Sequence, residues 1–130
     1  LIAKHIKEAD VVITTALIPG RKAPVLVTDA MLATMKFGSV VLDMAVEQGG
    51  NVEGSECNKT IIKNGVTIIG ESNLPSLLPM NASELYAKNM QTFLEHLATS
   101  EAMHWDMEEE ITKGSLILHN GKKIHSSILK

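Results

Sequence analysis

The sequence predicts an α/β chain whose first part is built on an open, parallel sheet. Three observations carry that expectation. "VVITT" (Val11–Thr15) and "SVVLDMA" (Ser39–Ala45) are continuous apolar runs rich in β-branched residues, the pattern of buried parallel strands. A helix-like stretch lies between them. Each run then opens into a Gly/Pro-rich, mostly uncharged loop, "ALIPGRKAP" and "VEQGGN", and the loops past such strand ends are where an open α/β sheet holds a ligand.

The elements follow in order. Leu1, Ile2, Ile6 and Ala9 form a short helical face. Val11–Thr15 is the first strand, expected to be covered on both faces. Pro19, Gly20 and Pro24 set the loop after it. Thr28 or Asp29 caps a helix running to Lys36, with Met31, Leu32 and Met35 facing inward and Gly38 ending it at C′. Ser39–Ala45 is the second strand, and Glu47–Glu56 a long polar loop. Lys59–Glu71 reads as two strands joined by a tight Asn64-Gly65 turn. Ser72–Pro79 is a third loop past a strand. If the three preceding strands are parallel, all three loops share one carboxyl edge.

From Asn81 the texture changes. "NASELYAKNMQTFLEHLA" is an amphipathic helix, capped by Asn81 or Ser83. Its stripe of Leu85, Tyr86, Met90, Phe93, Leu94 and Leu97 is expected to pack in a core. A polar stretch, "SEAMHWDMEEEITKG", leads to a hairpin over "SLILHNGKKIHSS" with Asn120-Gly121 as a type I′ turn. A helix and a hairpin do not continue a parallel sheet. The expected boundary falls near Leu77–Asn81, giving domains over residues 1–79 and 80–130.

Bulk properties narrow the function. With 45% hydrophobic and 21% charged residues, the chain has the composition of a folded globule rather than a disordered one. A net charge of -3 with no basic block gives nucleic acid no footprint. No apolar run approaches the roughly 20 residues of a membrane helix. Cys57 is the sole cysteine, so no intrachain disulfide can form, and it reads as an incidental loop thiol. The chain opens inside a helical pattern without an initiator methionine, which predicts a piece of a longer polypeptide.

The three edge loops carry small residues, Thr15, Ala16, Ala45, Gly49, Gly50 and Ser72, which let backbone groups approach a ligand closely. Ala16, Leu17 and Ile18 can flank a flat ring such as adenine. Asn51 and Asn73 can hydrogen-bond an amide or hydroxyl. This suits a nucleotide better than a metal, and ordinary strand-to-helix turns would look the same. Glu47, read as the one carboxylate at the tip of the second strand, is a general base, a hydrogen-bond acceptor or a solvated side chain. His5, His96, His104, His119 and His125 show no HxH or HExxH spacing, so no metal ligand is assigned. His119 and His125 are expected on the hairpin surface, and "DMEEE" (106–110) as a solvated face. No GxSxG supports a serine hydrolase using Ser55 or Ser83. No GxGxxG is present, so the phosphate-cradling first turn of a dinucleotide fold is not in this chain.

"TALIPGRKAPVL", "GSVVLDMAVEQGGN" and "IIGESNLPSLLPMNASELYAKN", in this order over most of residues 9–97, closely resemble the alanine dehydrogenase / proton-translocating NAD(P) transhydrogenase family. Glu47, where alanine dehydrogenases carry Asp, and the extension through "GSLILHNGKKIHSSIL" are most similar to the NAD(H)-binding part of the transhydrogenase alpha subunit. Phe37 and Ser126 stand where the family usually has Pro.

The resemblance implies the C-terminal half of a Rossmann-type NAD-binding domain, followed by a helix and hairpin returning to a second α/β domain. The other half would carry the glycine turn, the ribose-binding acid and much of the nicotinamide pocket. Without it, a half-sheet exposes an apolar strand edge. Ala16 and Leu17 would border adenosine. Met44, Ala45, Val46 and Glu47 would line the dinucleotide, with Asn51 beside them. Ser72, Asn73 and Leu74 would approach the nicotinamide end.

Hydride would pass directly between NAD(H) held here and NADP(H) on a partner component. Such a transfer needs no protein nucleophile, so no catalytic residue is assigned. The implied setting is a homodimeric cytoplasmic subunit, peripheral on the inner face of the bacterial inner membrane and docked on membrane-embedded components that move protons. The alternatives are an NAD-dependent alanine dehydrogenase, with Glu47 at the substrate site, or a fragment without activity of its own.

Overall fold

A computed structural model of the chain describes residues 1–125. It forms two compact units, Leu1–Leu78 and a second from Pro79 onward.

The first unit is a four-stranded sheet in the order β1-β2-β4-β3. β1 is Val11–Thr14, β2 Val40–Asp43, β3 Lys59–Lys63 and β4 Val66–Gly70. β1 pairs parallel with β2, and β2 parallel with β4. β3 is antiparallel to β4 through the Asn64-Gly65 turn, where φ values of 53° and 77° fit a type I′ hairpin. The parallel sheet and the hairpin agree with the sequence reading. The three loops after β1, β2 and β4 therefore leave one edge.

Alternation across the pleat decides what is buried. Val12, Val41, Val66 and Ile68 face a core completed by Ile6, Val27, Leu32, Met35 and Val52. Each fully buried Val, Leu or Ile contributes about 1.5–3 kcal/mol. The opposite face is not covered as expected. Val11 and Ile13 are 62% and 59% exposed, because β1 is an edge strand and no core of this unit forms beneath them.

The helix after the first loop is shorter than expected. α1 spans Ile2–His5, and α2 only Asp29–Leu32. Thr28 caps α2, its hydroxyl accepting from the Met31 N–H at 3.4 Å. The Thr34 hydroxyl donates to the Met31 carbonyl at 2.7 Å, and tighter turns then carry the chain to Met35. Gly38 is left-handed at φ 86°, but not as a helix C′ residue: its N–H donates to the Gly65 carbonyl at 2.7 Å. It ties the approach of β2 to the β3–β4 turn.

In the second unit α3 spans Pro79–Leu97, beginning two residues earlier than the Asn81 cap predicts. Proline fits the first helical turn, where its missing N–H costs nothing. The apolar stripe is the larger correction. Leu97 is buried and Phe93 half-buried, but Leu85, Tyr86 and Leu94 are more than half exposed. Only the C-terminal end of α3 meets packing partners within this unit, at a cavity it lines with Trp105, Thr112, Ser115 and Leu116.

The polar stretch hides a second helix, α4, over Glu110–Ser115. The acidic run is thus not merely solvated. Glu109 caps α4, accepting from the N–H groups of Ile111 and Thr112 at 2.8 and 2.7 Å, and pairs with His96 at 3.0 Å. β5 (Leu118–His119) and β6 (Lys122–Lys123) form the expected hairpin, with Asn120 and Gly121 both at positive φ. His119 packs its ring 5.8 Å from that of Trp105. Ser126 lies outside the described residues, as does the end of the predicted hairpin.

The cap makes this unit acid-sensitive. The Ile111 N–H, then the His96 ring, then the Thr112 N–H hold Glu109 at about 2, below its ordinary 4.5. A depressed folded value stabilises fully above the unfolded value and is lost as pH falls through the folded one. Acid titration followed by Trp105 fluorescence should lose signal between pH 4.5 and about 2. Glu109→Gln should flatten that dependence, and superimposable profiles for the two proteins would contradict the assignment.

Candidate functional site

The carboxyl edge of the first unit is organised by a residue hidden inside the second strand's apolar run. Asp43, the last residue of β2, points to the same face as Val41 and is fully buried. Its Oδ1 accepts from the Ala45 N–H at 3.0 Å and from the Thr14 hydroxyl at 3.3 Å. The Asn51 N–H reaches both carboxylate oxygens, at 3.1 and 3.0 Å, and the Val52 N–H reaches Oδ2 at 3.2 Å. A buried carboxylate needs such donors, and here they are the backbone of the loop after β2. Gly50 permits the wrap: it sits at φ 77°, and a Cβ there would lie 2.7 Å from Asp43 Oδ2. Asp43, rather than Glu47 alone, is thus the carboxylate at the end of this strand.

Asn51 is also fully buried. Its Oδ1 accepts from the Ala16 N–H at 2.9 Å, and its Nδ2 donates to the carbonyls of Ala16 and Pro24 at 2.9 and 2.7 Å. Its amide groups are spent on the loop after β1 and do not reach open space.

Between the exits of β2 and β4 lies a cleft of about 460 Å³, lined by Met44, Glu47, Glu71, Asn73, Leu74 and Pro75. It brings together four residues predicted from the sequence: Met44, Glu47, Asn73 and Leu74. Asn73 is left-handed at φ 51°, at the entry to a 3-10 turn over Leu74–Leu77. Ala45 and Val46 are buried beneath the loop and do not line the cleft. Ser72 is turned aside, its N–H and hydroxyl both donating to Asn58 Oδ1 at 3.1 and 2.6 Å. Ala16 is held by Asn51, and Leu17 is 54% exposed beyond it.

Glu71 and Pro75 escaped the sequence reading. The signal for Glu71 was its place as the first residue past β4, at the shared edge. The signal for Asp43 was a charge at an inward position of an apolar strand. Among the described residues no group of three or more His, Cys, Asp or Glu could hold a metal ion. Among them, too, no helix is long and apolar enough to cross a membrane. Cys57 is exposed and unbonded.

A family model described as the C-terminal domain of alanine dehydrogenase/PNT matches residues 1–126. The chain belongs to the alanine dehydrogenase/PNT family. Within it, the chain is similar to the first of the polypeptides that make up the NAD(P) transhydrogenase alpha subunit of Rickettsia prowazekii, with 45% identity over 124 residues, 95% of this chain and 32% of that protein. Among solved structures it is similar to a transhydrogenase from Sinorhizobium meliloti, with a TM-score of 0.71 and 47% identity, covering 97% of this chain and 35% of that one. It is also similar to an L-alanine dehydrogenase, with a TM-score of 0.68 and 28% identity, covering 98% and 36%. The chain spans about a third of the length of the curated relatives it matches. Family membership makes nicotinamide-nucleotide chemistry the frame for the cleft, and the sheet is of the Rossmann-like kind these relatives share.

Proposed function

We propose that this chain supplies part of the NAD(H) site of a proton-translocating NAD(P) transhydrogenase alpha subunit. One observation carries the reading: three parallel strands deliver their loops to one edge, where Met44, Glu47, Glu71, Asn73 and Leu74 converge on a single cleft. The chemistry of the lining fits a nicotinamide nucleotide. Met44, Leu74 and Pro75 offer apolar surface to a flat ring. Asn73 offers an amide to a carboxamide or a ribose hydroxyl, and Glu47 and Glu71 accept hydrogen bonds from hydroxyls or amides.

When bound, the nicotinamide gives up or accepts the hydride. The protein's part is to hold the loops still and keep water out, so no side chain of this chain needs to donate or remove a proton. On this reading NADP(H) sits on a partner component. The subunit is a homodimer, peripheral on the cytoplasmic face of the bacterial inner membrane and docked on membrane-embedded components that move protons. Residues 1–79 and 80–130 then belong to two different domains.

An NADH-fluorescence titration tests the site, on the chain alone and joined to the upstream half that would carry the glycine turn. Binding of NADH by the joined form, with much weaker binding of NADPH, supports the reading. No binding in either form overturns it. Glu47, a carboxylate in the cleft, keeps alanine dehydrogenase as the second reading. NADH consumption with pyruvate and ammonia by the joined form would favour that one.

A further inference from the structure

We propose that Asn51 is a positioning residue of this site, a latch that seats the loop Leu17–Ala23 without touching the ligand. The inference rests on the NAD(H) reading above and assigns Asn51 a role other than direct contact. Every polar group of Asn51 is occupied by protein. Its N–H goes to Asp43, and its carbonyl accepts from the N–H groups of Leu26 and Val27 at 2.8 and 3.0 Å. Its side chain holds Ala16 and Pro24. The orientation of the amide is forced, since Oδ1 meets an N–H and Nδ2 meets two carbonyls.

Ala16 and Pro24 are the two ends of a loop, so one buried side chain closes it. One further backbone bond, from the Ala23 N–H to the Gln48 carbonyl at 2.8 Å, ties it to the neighbouring loop. The body of the loop has little core of its own: Leu17 is 54% exposed and Ile18 44%. What orders it is the chain Asp43–Asn51–Ala16/Pro24, which runs from the end of β2 to the loop after β1. A site with its loop already closed loses less freedom when ligand arrives. Affinity therefore depends on an amide that makes no ligand contact.

The test uses the NADH-binding joined form. Asn51→Ala is compared with Leu32→Ala, a fully buried core position outside the edge loops. Both are measured at a temperature where circular dichroism shows full folding. Asn51→Ala should raise the NADH Kd about tenfold by freeing the loop, while Leu32→Ala stays within about twofold. Asn51→Asp keeps the size and the acceptor for the Ala16 N–H but removes both donors, and reads the same latch where the alanine variant does not fold. An unchanged Kd in a folded Asn51 variant, or an equal rise in Leu32→Ala, overturns the proposal and leaves the site reading intact. Failure of the unsubstituted protein to bind NADH overturns both.

Discussion

Asp43→Ala should cost the first unit about 4 kcal/mol, enough to unfold most single domains partly at 37 °C. The substitution strips the acceptor from three backbone N–H groups, those of Ala45, Asn51 and Val52, inside a buried pocket. Each stranded donor costs about 1–3 kcal/mol, and water entering the vacated space recovers part of the sum. Asp43→Asn should cost less, about 2 kcal/mol, because one oxygen still accepts while the new amide faces donors. Urea unfolding followed by circular dichroism measures both. Equal midpoints for Asp43→Ala and the parent would remove Asp43 from its place at the centre of the edge. The cost also has a functional side: the same N–H groups set the path of the loop that carries Met44 and Glu47 into the cleft.

Gly70→Ala should destabilise by about 3 kcal/mol, for a different reason. A Cβ on Gly70 would run into the Glu56 carbonyl oxygen, with the Glu56 carbonyl carbon at 3.0 Å and Ser55 Oγ at 3.1 Å. The closest atoms are backbone, and the Asn58 N–H donates to the Gly70 carbonyl at 2.6 Å, so neither side can retreat without breaking the end of the β3–β4 ladder. Adding Ser55→Ala should therefore rescue little. Full rescue would show that the obstruction is the serine side chain and not the main chain. Because Glu71, Asn73 and Leu74 follow directly, the double variant should still show a weakened cleft.

The sheet was legible because its signals are local and redundant: β-branched runs, Gly/Pro punctuation, and Asn-Gly at both hairpin turns. The convergence of Met44, Glu47, Asn73 and Leu74 was legible for a topological reason, since parallel strands must release their loops at one edge. Burial was less so. Asn51 looks in sequence like a polar group on a glycine-rich loop. Only the three-dimensional path of residues 16–27 around it shows that its amide is enclosed.

Asp43 was masked in the same way, since a strand pattern counts an acid at its end as an exit and not as an anchor. The exposed stripe of α3 marks the opposite failure. Helical periodicity records which face avoids water but not whether this stretch of chain contains what covers it. α4 was missed because its cap is a glutamate within an acidic run, where charge reads as solvation.

The two margins of the sheet are chemically unlike, and this gives the fold a direction of growth. β3 ends the sheet with a reversal of strand direction and with Lys59 and Lys63 at its two ends, features that discourage further pairing. β1 ends it with a strand of uniform polarity, apolar and bare at Val11 and Ile13. A strand from any source can extend the parallel run only beside β1, where it would also shade those two side chains. The chain thus behaves as a one-ended template, finished on one flank and receptive on the other.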